Sequence, residues 1–232
     1  MSRFADLREQ CRGANALLPA TGLVDLTFGN VSVCDRAAGV FAIKPSGVSY
    51  ESLSPADIVV LDMEGRVVEG SLRPSSDTPT HRCLLNAFPS IGSVVHTHSR
   101  HAVAFAQAAR PIPILGTTHA DYFRGEVPVT RGMTPEEVNG DYEWQTGLVI
   151  CETFQSLDPS DIPAVLVRNH GPFAWGPTAA KAVETAQALE IVAHMAHLAL
   201  QIDCGTPTAP AHLTEKHFLR KHGSSAYYGQ PG

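Results

Sequence analysis

The chain has 232 residues, 44% hydrophobic and 17% charged, with a formal net charge of −6. That is enough apolar material for one core, and the length suits a single domain spanning 1–232. A mildly acidic balance, with a sequence pI near 6.0, disfavours nucleic acid and anionic membrane as partners and suits a small-molecule substrate. No stretch approaches the length of a membrane span, and Met1–Arg8 carries charge instead of an uninterrupted apolar segment, so a cytoplasmic protein is expected. Five widely spaced cysteines without a Cys-x-x-Cys pair suggest neither a disulfide framework nor a thiolate zinc site.

Taken in order, Phe4, Leu7, Cys11, Ala14 and Leu18 recur at helical spacing, which predicts an amphipathic helix ending before Pro19. Val31–Val33, Val40–Ile43 and the pair Ile58–Asp62 and Arg66–Glu69 around Met63-Glu64-Gly65 read as short strands and a hairpin. Pro79–Phe88 reads as a helix, Ile91–Val95 as a buried strand, and about Ser99–Ala108 as a further helix. Thr134-Pro135-Glu136-Glu137 has the form of a capping box, and Tyr142–Phe154 reads as helical. Ala164–Val167 and Pro172–Trp175 read as strands, Thr178–Gln201 as the longest helix, and Thr214–His222 as a last helix whose basic end suits the dipole.

Two apolar runs end in imidazoles. Val94-Val95 leads into His96-Thr97-His98, and two residues apart on a strand these side chains point the same way, about 7 Å apart. Ala164–Val167 leads to His170. Three imidazoles leave one position of a tetrahedral metal site open, as catalytic sites require, and Asp77 is the candidate carboxylate beside them. Asp77 could equally be an ordinary helix start before Pro79. Glycine-rich nucleotide signatures are absent. Instead the pairs Gly29-Asn30, Ser46-Gly47 after Lys44, and Ser75-Ser76 offer small residues whose backbone N–H groups can meet an anion, the last at a helix N-terminus, so a phosphate pocket is a candidate. Glu190, His194 and His197 mimic a second metal site at helical spacing, but no partner segment is evident, and they are left as structural.

Several stretches carry a resemblance together: Leu26–Ser32, Ile43–Val48, Pro74–His81, His96–His101, Gly116–Phe123, Asn169–Gly176 and the tail Lys216–Gly223 with Tyr227–Gln230. In these the chain resembles, nearly end to end, the L-ribulose-5-phosphate 4-epimerase branch of the class II aldolase/adducin-head family. The resemblance implies a three-layer α/β/α fold with a mixed, largely antiparallel central sheet. It implies Zn²⁺, or another divalent metal such as Mn²⁺ or Co²⁺, bound by His96, His98 and His170 with Asp77 beside it. Phosphate contacts are implied from Gly29, Asn30, Ser46, Gly47, Ser75 and Ser76 with Lys44 nearby, and Asp121 and Tyr228 fall on the acid/base positions. Phe28, where a Trp is familiar, and Asn169 are minor departures.

The implied activity is interconversion of L-ribulose 5-phosphate and D-xylulose 5-phosphate by cleavage and re-formation of a carbon–carbon bond. Implied too is a homotetramer in which a tail of about 212–232 reaches a neighbour, with the metal and Asp121 from one subunit and Tyr228 from the next. Two alternatives are weighed. An aldolase of the L-fuculose-phosphate type shares fold and metal, but such aldolases resemble one another in placing a Glu where this chain has Asp77. A non-catalytic adducin-like module would lack the three histidines.

Overall fold

A computed structural model describes residues 2–223 and 226–227. The elements run α1 (Ala5–Ala20), β1 (Asn30–Asp35), β2 (Val40–Ile43), β3 (Val59–Asp62), β4 (Val67–Glu69), α2 (Thr78–Ala87), β5 (Ser93–His96), α3 (Arg100–Gln107) and α4 (Thr117–Ala120). They continue with α5 (Pro135–Asn139), α6 (Tyr142–Thr153), β6 (Ala164–Val167), β7 (Gly171–Gly176), α7 (Ala179–Ile202) and α8 (Ala211–His222). The seven strands form one sheet in the order β4-β3-β2-β1-β5-β7-β6. Every ladder between these strands is antiparallel, and the parallel element of the mixed sheet is an isolated bridge from Val129 to Leu166.

Alternation along the strands divides the core in two, which is why the architecture has three layers. Val31, Val33, Val40, Ala42 and Val60 face one side with Val95 and Ala174, where α1, α3 and α7 cover them. Phe41, Ile43, Val59, Leu61, Val94, Phe173 and Trp175 face the other, against Leu84 and Leu85 of α2 and Ile150 of α6. The strands at the centre are buried on both faces, so β2 reads as a continuous apolar run and β5 carries Val94 and Val95 in succession rather than in alternation.

The expected elements are present within a residue or two at most ends, with two differences. α1 does not stop before Pro19 but runs through it to Ala20, because a proline in the last turn forfeits one helical bond while the Thr21 N–H closes the end on the carbonyls of Leu17 and Leu18. α4, four residues long, was not expected; it is too short to show a period. The capping box at Thr134 forms, with its hydroxyl accepting from the Glu137 N–H and the Glu137 carboxylate from the Thr134 N–H.

Candidate metal centre

The histidines are positioned by pairing between three adjacent strands. His96 is the last residue of β5, paired with Asn30 of β1 on one side and Phe173 of β7 on the other. Its ring stacks on Phe173 at 4.2 Å, and its Nδ1 lies 2.9 Å from the Pro172 carbonyl. That nitrogen must therefore be the donor, which puts the lone pair of the neutral ring on Nε2. His98 lies just beyond the strand, its ring against Phe28 at 5.7 Å. His170 sits in the turn joining β6 to β7, which turns on Asn169 at φ 63°, a left-handed conformation that asparagine tolerates, and closes with the His170 N–H on the Val167 carbonyl.

One ligand atom from each of His96, His98 and His170 lies within 4.8 Å of the others, the one such group among the described residues. The Nε2 atoms of His96 and His98 are 3.1 Å apart. Two N–H groups cannot face each other at that distance, so a lone pair points into the gap. Burial, reinforced by the two neighbouring rings, pushes the His170 pKa down to about 4, and burial with His96 lowers His98, which keeps both rings neutral, the form that can ligate a metal. Three converging neutral imidazoles fit a divalent cation of borderline softness.

These residues line a cleft of about 450 Å³ together with Gly29, Asn30, Lys44, Ser46, Gly47, Ser75, Ser76 and Asp77. The expected site residues from five separate stretches thus converge. Asp77 flanks the start of α2 and accepts from the Asn30 amide at 2.6 Å, but its oxygens fall outside the close-set imidazole group. Burial opposes its ionisation, yet the rings of His96 and His81 and the Asn30 amide prevail and hold the carboxyl below the usual range.

The phosphate arm differs in detail from expectation. The N–H groups of Ser46 and Ser75 do not open to an anion; they donate to the carbonyls of Arg73 and Lys44, because the two loops pair through a bridge between Pro45 and Pro74. Among the described residues the Gly47 and Ser76 N–H groups and the Ser46 and Ser76 hydroxyls are left without such partners on the cleft wall. Gly29, at φ 80°, brings the backbone so near β5 that a Cβ would lie 2.8 Å from the His96 carbonyl oxygen. Lys44 is buried, its Nζ 4.9 Å from the Tyr50 ring centre and 3.4 Å from the Pro45 carbonyl, and burial lowers its pKa.

Asp121 does not line this cleft. The Arg220 guanidinium clasps its carboxylate, Nε to Oδ1 at 3.0 Å and Nη2 to Oδ2 at 2.7 Å, with His217 Nδ1 at 3.1 Å. Burial opposes ionisation there too, but the hydrogen bonds from Arg220 and His217 hold the pKa down. Asp121 was expected beside the histidines of its own chain; within one chain it faces α8 instead. Tyr228 lies outside the described residues, and Tyr227 before it donates its N–H to the Arg220 carbonyl. Glu190 is engaged elsewhere, accepting from the N–H groups of His101 and Ala102 at the start of α3. Sequence reasoning missed Tyr142 and Glu143, which line the cleft, with the Tyr142 hydroxyl 3.4 Å from His170 Nδ1. As the first turn of an ordinary helix they carry no local signal, and the packing of α6 on α2 brings them there.

The model of the Class II Aldolase and Adducin N-terminal domain family matches residues 9–197. The chain is 54% identical over 224 residues to the L-ribulose-5-phosphate 4-epimerase UlaF of Salmonella paratyphi A, covering 97% of this chain and 98% of that protein. The protein of the same name from Salmonella typhi matches to the same extent. Among solved structures, an L-fuculose 1-phosphate aldolase superposes with a TM-score of 0.78 at 26% identity, covering 94% of this chain and 95% of that one. The L-fuculose-1-phosphate aldolase from Thermus thermophilus gives 0.69 at 28%, covering 88% and 100%. With the family model spanning most of its length, the chain belongs to the family of the class II aldolase and adducin N-terminal domain.

Proposed function

We propose that this chain is a zinc-dependent isomerase that interconverts L-ribulose 5-phosphate and D-xylulose 5-phosphate by inversion at carbon 4, working as a cytoplasmic homotetramer. The observation that carries the reading is the one cleft lined both by three converging imidazoles and by Ser46, Gly47, Ser76 and Lys44. The 54% identity to proteins named for this reaction supports the choice of substrate.

The hydrogen on carbon 4 is not adjacent to the ketone, so simple deprotonation cannot invert that centre; the bond between carbons 3 and 4 must break and re-form on the other face of the released glycolaldehyde phosphate. A divalent cation held by His96, His98 and His170 supplies Lewis acidity toward the ketose oxygens when bound. Phe173 and the Pro172 carbonyl hold the His96 ring in one tautomer and one orientation. The Ser46 and Ser76 hydroxyls and the Gly47 and Ser76 N–H groups retain the phosphate, so that the aldehyde turns without leaving. Lys44, without a carboxylate partner among the described residues, adds attraction for a dianion.

Inversion needs a proton acceptor and donor at the carbon 4 oxygen on each face. Asp121 and Tyr228 take these roles in the proposal, delivered by a neighbouring copy, since Asp121 lies off its own cleft and the tail leading to Tyr228 runs beside the same Arg220. The test is to incubate metal-loaded protein separately with L-ribulose 5-phosphate and with L-fuculose 1-phosphate. Appearance of D-xylulose 5-phosphate is expected. Cleavage of L-fuculose 1-phosphate without epimerisation would favour the aldolase reading, which the superposition on an L-fuculose 1-phosphate aldolase keeps alive.

A further inference from the structure

Helices α2 and α6 cross in unusually close contact. A Cβ on Gly147 of α6 would lie 2.5 Å from the Cys83 Cβ and 3.5 Å from the Thr80 Cα of α2. One turn further along α6 stands Cys151, and its sulfur is 3.9 Å from that of Cys83. All five cysteines are free, and no other cysteine sulfur has a second one as hydrogen-bond partner among the described residues. Neither Cys83 nor Cys151 lines the metal cleft.

We propose that Cys83 and Cys151 form a modification site, a dithiol that a small peroxide converts reversibly into a disulfide joining α2 to α6. The two thiols have different roles. Cys151 is half-buried and reachable, whereas Cys83 is buried. With Cys83 as donor, its S–H favours the Cys151 thiolate over the opposing effect of burial, while the same contact and burial make Cys83 the harder thiol to ionise. The Cys151 thiolate attacks one peroxide oxygen and the O–O bond breaks, giving a sulfenic acid and releasing the other oxygen as water. The Cys83 sulfur then attacks the sulfenic sulfur, loses its proton and expels the hydroxyl as a second water. Two thiols lose two electrons and two protons, and the peroxide is reduced to two waters. The sulfurs must close by about 2 Å to reach bonding distance. The close approach of the two helices at Gly147, one turn away, holds both side chains at the same crossing.

The metal-loaded protein is treated with hydrogen peroxide, unfolded in iodoacetamide, digested without reduction and mapped by mass spectrometry, with exposed Cys204 as the internal marker that oxidant has acted. The expected result is a Cys83–Cys151 peptide, with these two thiols lost to alkylation and fully restored by dithiothreitol. In Cys83→Ser the reaction should stop at a Cys151 sulfenic acid that dimedone captures; in Cys151→Ser the Cys83 thiol should stay alkylatable. The proposal is overturned if Cys83 and Cys151 both remain thiols once Cys204 has reacted. It is equally overturned if Cys151 ends in a sulfinic acid or in a bond to any other thiol while Cys83 is unchanged.

Discussion

Asn30 donates its amide to the Asp77 carboxylate at 2.6 Å and to the Ser75 hydroxyl at 2.9 Å, so one side chain at the start of β1 positions both the acid and the loop before α2. The length of the acid at position 77 then matters. Glutamate there would carry its carboxyl beyond Asn30 toward the substrate and protonate the cleaved enediolate before recombination. For Asp77→Glu we expect epimerisation to fall at least tenfold, or by about 1.4 kcal/mol or more in transition-state stabilisation, with glycolaldehyde phosphate escaping. An aldehyde trap during turnover reads this directly; loss of rate with no aldehyde released would refute the reasoning.

Replacing His96 with asparagine removes one of three imidazoles and the ring that Phe173 and Pro172 orient. Metal content, measured by atomic emission after dialysis, should fall to a small fraction of one ion per chain, and turnover by more than about 100-fold. A metal-free preparation with full activity would contradict the proposed centre.

The clasp between Arg220 and Asp121, with Tyr227 bonded to the same arginine, presents Asp121 and the tail together. Mixed tetramers test the consequence. Asp121→Asn and Tyr228→Phe chains reassembled together should stay as inactive as their parents, because each pair of groups comes from one chain. His96→Asn mixed with Tyr228→Phe should regain activity at about a quarter of sites in a random one-to-one assembly. Recovery of activity in the Asp121→Asn and Tyr228→Phe mixture would place Asp121 and Tyr228 on different subunits.

Two buried histidines that are not part of the imidazole triad set an acid limit. Burial pushes the pKa of His81 down to about 3 and that of His119 to about 4. In the unfolded chain each titrates near 6.5, so below that pH the unfolded state gains protons that the folded state refuses. Stability from this source is unchanged above about pH 7 and declines as pH falls toward 4, by about 1.4 kcal/mol per unit of depression. Melting of chelator-treated protein across this range should show a midpoint flat above neutrality and falling below about 6.5; an unchanged midpoint at pH 5 would contradict it.

The chain of local signals carried most of the fold. Helical spacing marked α1, length without a breaker marked α7, and apolar runs of four to six residues marked β2, β5 and β6, because burial on both faces erases alternation and leaves only length and bounding turns to read. The imidazoles were legible because each ends such a run. Tyr142 was not, since its role comes from α6 lying on α2, and neither was the position of Asp121, since a carboxylate in a loop gives no hint that an arginine 99 residues later will claim it. Ser46 and Ser75 looked alike as anion donors; only the bridge between their loops reveals that their N–H groups are spent on each other's strands.

The sheet order has a consequence for how the molecule comes to exist. β1 to β4 form a meander in which each strand pairs with the next, all within residues 30–69, whereas β5 must find β1 on one side and β7 on the other, with paired residues sixty or more positions apart. Loop-closure entropy favours the meander as the earlier half. The three histidines lie on the later half, with His96 opposite Asn30 at the seam where the halves join. A nascent chain therefore has only the His96 and His98 pair in place until β7 docks, and the triad is complete only when the turn before β7 brings His170 beside them.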